Sequence, residues 1–160
     1  LTGGSVEVQV WNYFVDNGFS DAAAAGIMGN FWQETKLDPT CDAGASAGIA
    51  CFEKSTGAFA EFQAYAASKG KTWTDLQCQL EYLTKQLPEA FNAYTGLQPH
   101  YYDTGEWCWW PEKMTLNDYK KLDDPAKAAE IFCRVYERPS LPMMSNRTGA
   151  AQEYYNKYHK

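Results

Sequence analysis

Ser20-Asp21-Ala22-Ala23-Ala24-Ala25-Gly26-Ile27-Met28-Gly29-Asn30-Phe31-Trp32-Gln33-Glu34 decides how the chain is read. Ser20 is a good helix N-cap, Asp21 suits the positive end of a helix, and the alanine run after it consists of good helix formers. A helix is therefore predicted to begin near residue 21. Along it, Ala24, Ile27, Phe31 and Glu34 fall at i, i+3, i+7 and i+10, within a narrow arc of one face. Glu34 thus occupies the position where the apolar stripe calls for another apolar residue. Pro39 and the polar residues before it stop the helix soon afterwards, which puts Glu34 near the carboxyl end. There the macrodipole disfavours a negative charge, and partial burial acts in the same direction. A carboxylic acid kept protonated near neutral pH is what a general acid requires, and glycoside cleavage is a common use of one. The plainer alternative is a solvated glutamate at a fraying helix end.

The rest of the chain reads as mainly α and as one domain over residues 1–160. At 160 residues it can bury a core of its own. Val6, Val10 and Phe14 form the stripe of a first helix closed by Asn17-Gly18. Between Thr40 and Ser55 the pattern gives way to small residues, as in a loop or short β-ribbon forming a cleft wall. Phe59, Phe62 and Ala66 mark a third helix closed by Lys69-Gly70. Thr74-Asp75-Leu76-Gln77 reads as a capping box, followed by the stripe Leu76, Leu80, Leu83 and Leu87 ending before Pro88. Asp124-Pro125 opens a further helix with Ala129, Phe132, Cys133 and Tyr136 facing inward and Pro139 ending it. The last helix runs from about Asn146 to Tyr158, with its tyrosines packed on the body.

Composition narrows the function. Lys and Arg number 14 against 20 Asp and Glu, a net charge of −6, without any basic block. Nucleic acid and anionic membrane surfaces are therefore poor partners. No apolar run of about 18 residues is present, so no membrane insertion by this domain is expected. The first residue is Leu, consistent with a piece of a longer protein. Cys41, Cys51, Cys78, Cys108 and Cys133 show no zinc spacing, and free thiols are the default, with a Cys41–Cys51 staple as the alternative. His100 and His159 are too isolated for a nucleophilic pair. No metal or cofactor is called for. Aromatic residues make up 16% of the chain, and Trp and Tyr stack on the flat faces of sugar rings while keeping a polar handle. The irregular segment Gln98-Pro99-His100-Tyr101-Tyr102-Asp103-Thr104-Gly105-Glu106-Trp107-Cys108-Trp109-Trp110-Pro111 concentrates them. Tyr101, Trp107, Trp109 and Trp110 are candidate substrate contacts there, with at least one tryptophan facing a groove; a roof over a small apolar cluster is the alternative.

Val10-Trp11-Asn12-Tyr13-Phe14, then Gly18 through Asn30, then Glu34 and Pro39, resemble the start of the phage tail lysozyme family. Ser46-Ala47-Gly48-Ile49-Ala50 resembles its Gly-Ile loop, Leu76 through Leu83 its leucine helix, and Phe132 through Pro139 its closing helix, with Arg147 in the last helix. The resemblance implies a lysozyme-like fold with a small loop or β-ribbon region beside the catalytic cleft. It implies cleavage of the glycan strand of peptidoglycan, with Glu34 as general acid, and the bond between N-acetylmuramic acid and N-acetylglucosamine is the expected target. It also implies a virion tail or extracellular setting at the bacterial wall, alongside other phage tail proteins. Where relatives carry Gln-Trp after the Gly-Ile, this chain has Cys51-Phe52, so Phe52 becomes the candidate stacking residue. Asp42 and Glu53 are the candidate second carboxylates of the loop, and Gln33 is a candidate hydrogen-bond partner for an acetamido group. Glu137 and Arg138 read as a structural ion or capping pair. Competing readings are a lytic transglycosylase, a non-catalytic wall-binding module, and an amidase or endopeptidase acting on the peptide stems.

Overall fold

A computed structural model describes residues 1–160. Helix α1 (Val6–Asp16) is capped by Ser5 and α2 (Asp21–Thr35) by Ser20, whose hydroxyl accepts the Ala23 N–H at 3.0 Å. A two-strand ribbon, β1 (Ser46–Ala47) and β2 (Phe52–Glu53), follows, with Ser46 opposite Glu53. Next come α3 (Ala58–Ser68) and α4 (Leu76–Tyr94), then a second antiparallel ribbon, β3 (His100–Tyr101) and β4 (Trp107–Cys108). The chain closes with α5 (Leu116–Lys120), α6 (Pro125–Phe132), a π-helical turn at Cys133–Glu137, and α7 (Met144–Tyr158). The mainly α fold with a small ribbon beside a cleft is the one the sequence predicts.

Helix α2 is the central element. Ala22 through Phe31 are all buried, and its most extensive packing is against α7 and α6. Two glycines permit that closeness. A Cβ on Gly26 would lie 2.6 Å from both the Ala128 Cβ and the Ala129 backbone nitrogen, and one on Gly29 would strike the Arg147 carbonyl and lie 2.8 Å from the Ala151 nitrogen. Alanine is the better helix former by about 1 kcal/mol, so Gly29→Ala would stabilise an isolated α2. In the folded protein the obstacle is backbone, which cannot rotate away, and overpacking of this kind costs about 1–3 kcal/mol. Gly29→Ala is therefore expected to lower the urea midpoint, and an unchanged or raised midpoint would show that α2 and α7 separate freely.

Three boundaries differ from the sequence reading. Helix α2 is ended by Lys36 and Leu37, both left-handed with φ of 55° and 58°, and not by Pro39. Helix α4 is capped by Asp75 rather than Thr74 and runs through Pro88 to Tyr94. An interior proline costs roughly 3 kcal/mol, but Ala90 and Phe91 beyond it are buried. Burial of a Phe-sized side chain returns about 1.5–3 kcal/mol, so tertiary packing carries the helix past its breaker. Finally, α6 stops at Phe132 and the chain widens into the π turn, closed by the Arg138 N–H donating to the Cys133 carbonyl at 2.7 Å. Arg138 is left-handed at φ 47°.

Candidate active site

Glu34 lies on the last turn of α2 and lines a cleft of about 760 Å³. Its carboxylate is mostly covered, with 17% of the side chain exposed, and its Oε1 accepts a hydrogen bond from Arg147 Nη2 at 2.7 Å. Arg147 stands on α7 and is 2% exposed. Each of its three nitrogens donates: besides Nη2, Nε donates to the Pro142 carbonyl at 2.6 Å and Nη1 to Asn30 Oδ1 at 2.9 Å. Asn30 is fully buried and its amide donates to the carbonyls of Gly26 and Ala129 at 2.9 Å each. Three helices thus meet in one polar chain, Ala129 of α6 to Asn30 of α2 to Arg147 of α7 to Glu34. A planar guanidinium with donors on three edges is suited to this task in a way that a lysine ammonium is not. The sequence reading places Glu34 at a partly buried helix end without a charged partner, and the structure adds one: the carboxylate meets a fixed cation.

The ribbon forms one wall. Its approach to α2 is fixed by Gln79, a fully buried side chain of α4. Gln79 Oε1 accepts the Ile49 N–H at 2.7 Å, and its amide donates to the carbonyls of Pro39 and Trp73 at 2.8 Å each. Thr35 donates to the Ile49 carbonyl at 2.9 Å. Cys51, left-handed at φ 55°, places its thiol 3.7 Å from the Glu34 carbonyl oxygen. Burial, with the charges of Glu34 and Glu137 adding to it, pushes that thiol up to about 12. The thiolate is the nucleophilic form, so Cys51 is not a nucleophile at neutral pH. Cys41, Cys78, Cys108 and Cys133 are likewise free, and the Cys41–Cys51 staple is not formed.

The opposite wall comes from the π turn and the second ribbon. Trp109, left-handed at φ 71°, turns its indole into the cleft, stacked on His100 with ring centroids 5.1 Å apart and on Tyr94 at 6.2 Å. The Arg138 guanidinium covers Tyr94 at 4.0 Å. Tyr102 donates to the Arg138 carbonyl at 2.9 Å and Tyr136 donates to Gln86 at 2.7 Å, which ties the π turn to the ribbon and to α4. Glu137 ends that turn and lines the cleft with Glu34. The Glu137 Oε1 is buried and has no hydrogen-bond partner. Burial first, and then the Glu34 charge, push the Glu137 carboxyl well above the usual carboxylate range, against the opposing pull of Arg147 and Arg138. The reading of Glu137 and Arg138 as an ion pair is therefore corrected: Arg138 donates to the Val135 carbonyl at 3.0 Å and stacks on Tyr94 instead.

Of the residues singled out from sequence, Glu34, Glu53, Phe52 and Trp109 line the cleft together. Phe52 is largely buried, stacked on Phe62 at 4.8 Å, so it shapes the wall more than it offers a free face. Asp42, Gln33, Tyr101, Trp107 and Trp110 are placed elsewhere. Asp42 is a loop anchor, accepting from Lys54 at 3.0 Å and from the Gly44 N–H at 2.9 Å. Gln33 accepts from Asn146 at 2.9 Å. Tyr101 is 64% exposed outside the cleft. Trp107 and Trp110 stack on each other at 6.1 Å, the Arg134 guanidinium lies 3.5 Å from the Trp107 ring, and Trp110 packs against the hydrophobic core. Arg147, Asn30, Glu137, Arg138 and Tyr94 carry no site role in the sequence reading. The one sequence signal for any of them is that Asn30, Arg147, Glu137 and Arg138 fall in blocks that resemble the family; the cost of burying Arg and Glu shows only once burial is known. No three His, Cys, Asp or Glu side chains converge as a metal site, and no helix is long and apolar enough to cross a membrane.

A mainly α domain whose cleft holds a braced carboxylate at a helix end, between a short β-ribbon and an aromatic wall, has the lysozyme-like architecture. The chain belongs to the phage tail lysozyme family, which it matches over residues 5–158. Its function is accordingly lysozyme-like degradation of peptidoglycan. No curated protein matches the chain.

Proposed function

We propose that this domain is a muramidase. It hydrolyses the bond between N-acetylmuramic acid and N-acetylglucosamine, with Glu34 as the general acid, and opens the bacterial wall for a phage tail. The observation that carries the reading is the bracing of Glu34 by Arg147 and Asn30 at the cleft surface. One carboxyl oxygen is held at 2.7 Å, and no protein donor reaches the other, Oε2. A general acid needs this combination of fixed orientation and a free oxygen facing the leaving group. The Trp109, His100 and Tyr94 stack supplies flat faces along the cleft on which sugar rings can lie. Glu53, exposed at the rim on β2, is the loop carboxylate positioned in the cleft, since Asp42 is committed to Lys54. The elevated thiol of Cys51 speaks against peptide-stem cleavage by a cysteine nucleophile.

The test is the mass spectrum of soluble products released from purified peptidoglycan. Reducing muramic acid ends are expected. Anhydro-muramic ends would replace hydrolysis by transglycosylation, and the absence of any soluble product would leave a wall-binding module.

A further inference from the structure

We infer that Glu137 is the second carboxyl of the reaction centre, half-buried with its Oε1 fully covered on the same cleft as Glu34, and that it acts as a positioning residue setting the pH range over which the centre is active. The inference rests on the reading of Glu34 as general acid. A π turn adds one residue to the helical repeat and is frequently found at functional sites. Here it ends on Glu137, in the wall facing α2. An ordinary continuation of α6 would close the turn earlier and rotate residue 137 to another face. A buried carboxyl oxygen without a partner is costly, and Glu137 Oε1 is one of two such side-chain atoms in the protein.

The surroundings explain why the pair keeps a proton. Glu137 interacts with Glu34 of α2, Arg147 of α7, its neighbours Cys133, Tyr136 and Arg138, and Cys51 of the ribbon loop. Of the two carboxyls, Arg147 is hydrogen-bonded to Glu34 alone, and it and Arg138 act on Glu137 only through space. Burial alone would weaken the Arg147 charge, but Cys133, Glu137 and Glu34 together hold its pKa above the ordinary value. With one cation fixed, a second negative charge in the same partly dry space is disfavoured, so the pair retains a proton. In the reaction that proton passes from Glu34 to the glycosidic oxygen as the C1–O bond breaks and its electron pair goes to the oxygen. Water then adds to C1 and returns one proton to the pair, so the net change is the addition of one water.

The test is the pH dependence of kcat/KM on a soluble glycan oligomer for the wild type, Glu137→Gln and Glu34→Gln. An amide at 137 can neither hold nor release a proton, so the proton kept in the cleft is lost at lower pH. The alkaline limb is expected to move down by about one pH unit or more, with an approximately tenfold loss of activity above it. An unmoved limb in a folded Glu137→Gln protein, with Glu34→Gln inactive, overturns the inference and leaves the Glu34 reading standing. An active Glu34→Gln overturns both. A second measurement covers the case in which Glu137→Gln does not fold. In wild-type protein carrying ¹³C-labelled glutamate carboxyls, NMR is expected to show one glutamate still protonated at pH 7, and finding none overturns the inference.

Discussion

Glu34→Gln is expected to lower kcat for glycan cleavage by about 10²- to 10⁴-fold, the usual contribution of a general acid, with little effect on stability. The amide is nearly isosteric, and its carbonyl oxygen can still accept the Arg147 hydrogen bond now made to Oε1 at 2.7 Å. The bracing of α7 against α2 through Asn30 is untouched by the change. Under the proposed mechanism, the change removes only the carboxyl that would protonate the leaving oxygen. The clean comparison is single-turnover cleavage of a glycan oligomer alongside a urea titration of each protein. A loss smaller than about tenfold would place the acid elsewhere, and Glu53 would be the next carboxyl to change. A large loss accompanied by unfolding would be uninformative about chemistry, which is why Gln is preferred here to Ala.

Arg147→Met is expected to cost about 3 kcal/mol of folding stability, at the lower end of the range for breaking one side of a buried ion pair. The lower end applies because Glu34 keeps 17% of its side chain in contact with solvent and can recover some hydration. Methionine preserves much of the buried volume, so the loss reports the polar network more than a cavity. Three acceptors lose their donor together: the Pro142 carbonyl, Asn30 Oδ1 and Glu34 Oε1. For a domain of this size the melting temperature would fall by roughly 6–12 °C. Activity should fall as well, since the carboxylate loses its orientation. Arg147→Lys is expected to recover little of either, because one ammonium cannot span three acceptors in this geometry. A fall of less than about 1 kcal/mol for Arg147→Met would mean that solvent or another side chain replaces the guanidinium.

The opening stretch shows how far sequence reasoning reached. Ser20 caps α2, the alanines and Ile27 face the core, and Glu34 falls on the cleft side near the carboxyl end, all as the stripe requires. The leucines of α4 and the tyrosines of α7 pack as their spacing predicts. The aromatic segment was legible only in part. That one of its tryptophans would face a groove followed from composition, but that it is Trp109 depends on the rings it stacks against, Tyr94 and His100, which line the same cleft. The partners of Glu34 were out of reach. Arg147 lies 113 residues away, and no local pattern connects the two.

Local chemistry by itself determined where the helices begin, which faces are apolar, and which helix end carries the candidate acid, because caps and periodicity are set within a few residues. The tertiary structure alone decided that Glu34 is braced by a cation, that α4 passes through Pro88, and that the chain widens after Phe132 to bring Glu137 into the cleft. Each of these is a local cost: a buried charge, a helix-breaking proline, and a π turn with an unpartnered carboxyl oxygen. Such costs become tolerable only when distant elements pack against them, and a local reading of the sequence does not contain those distances.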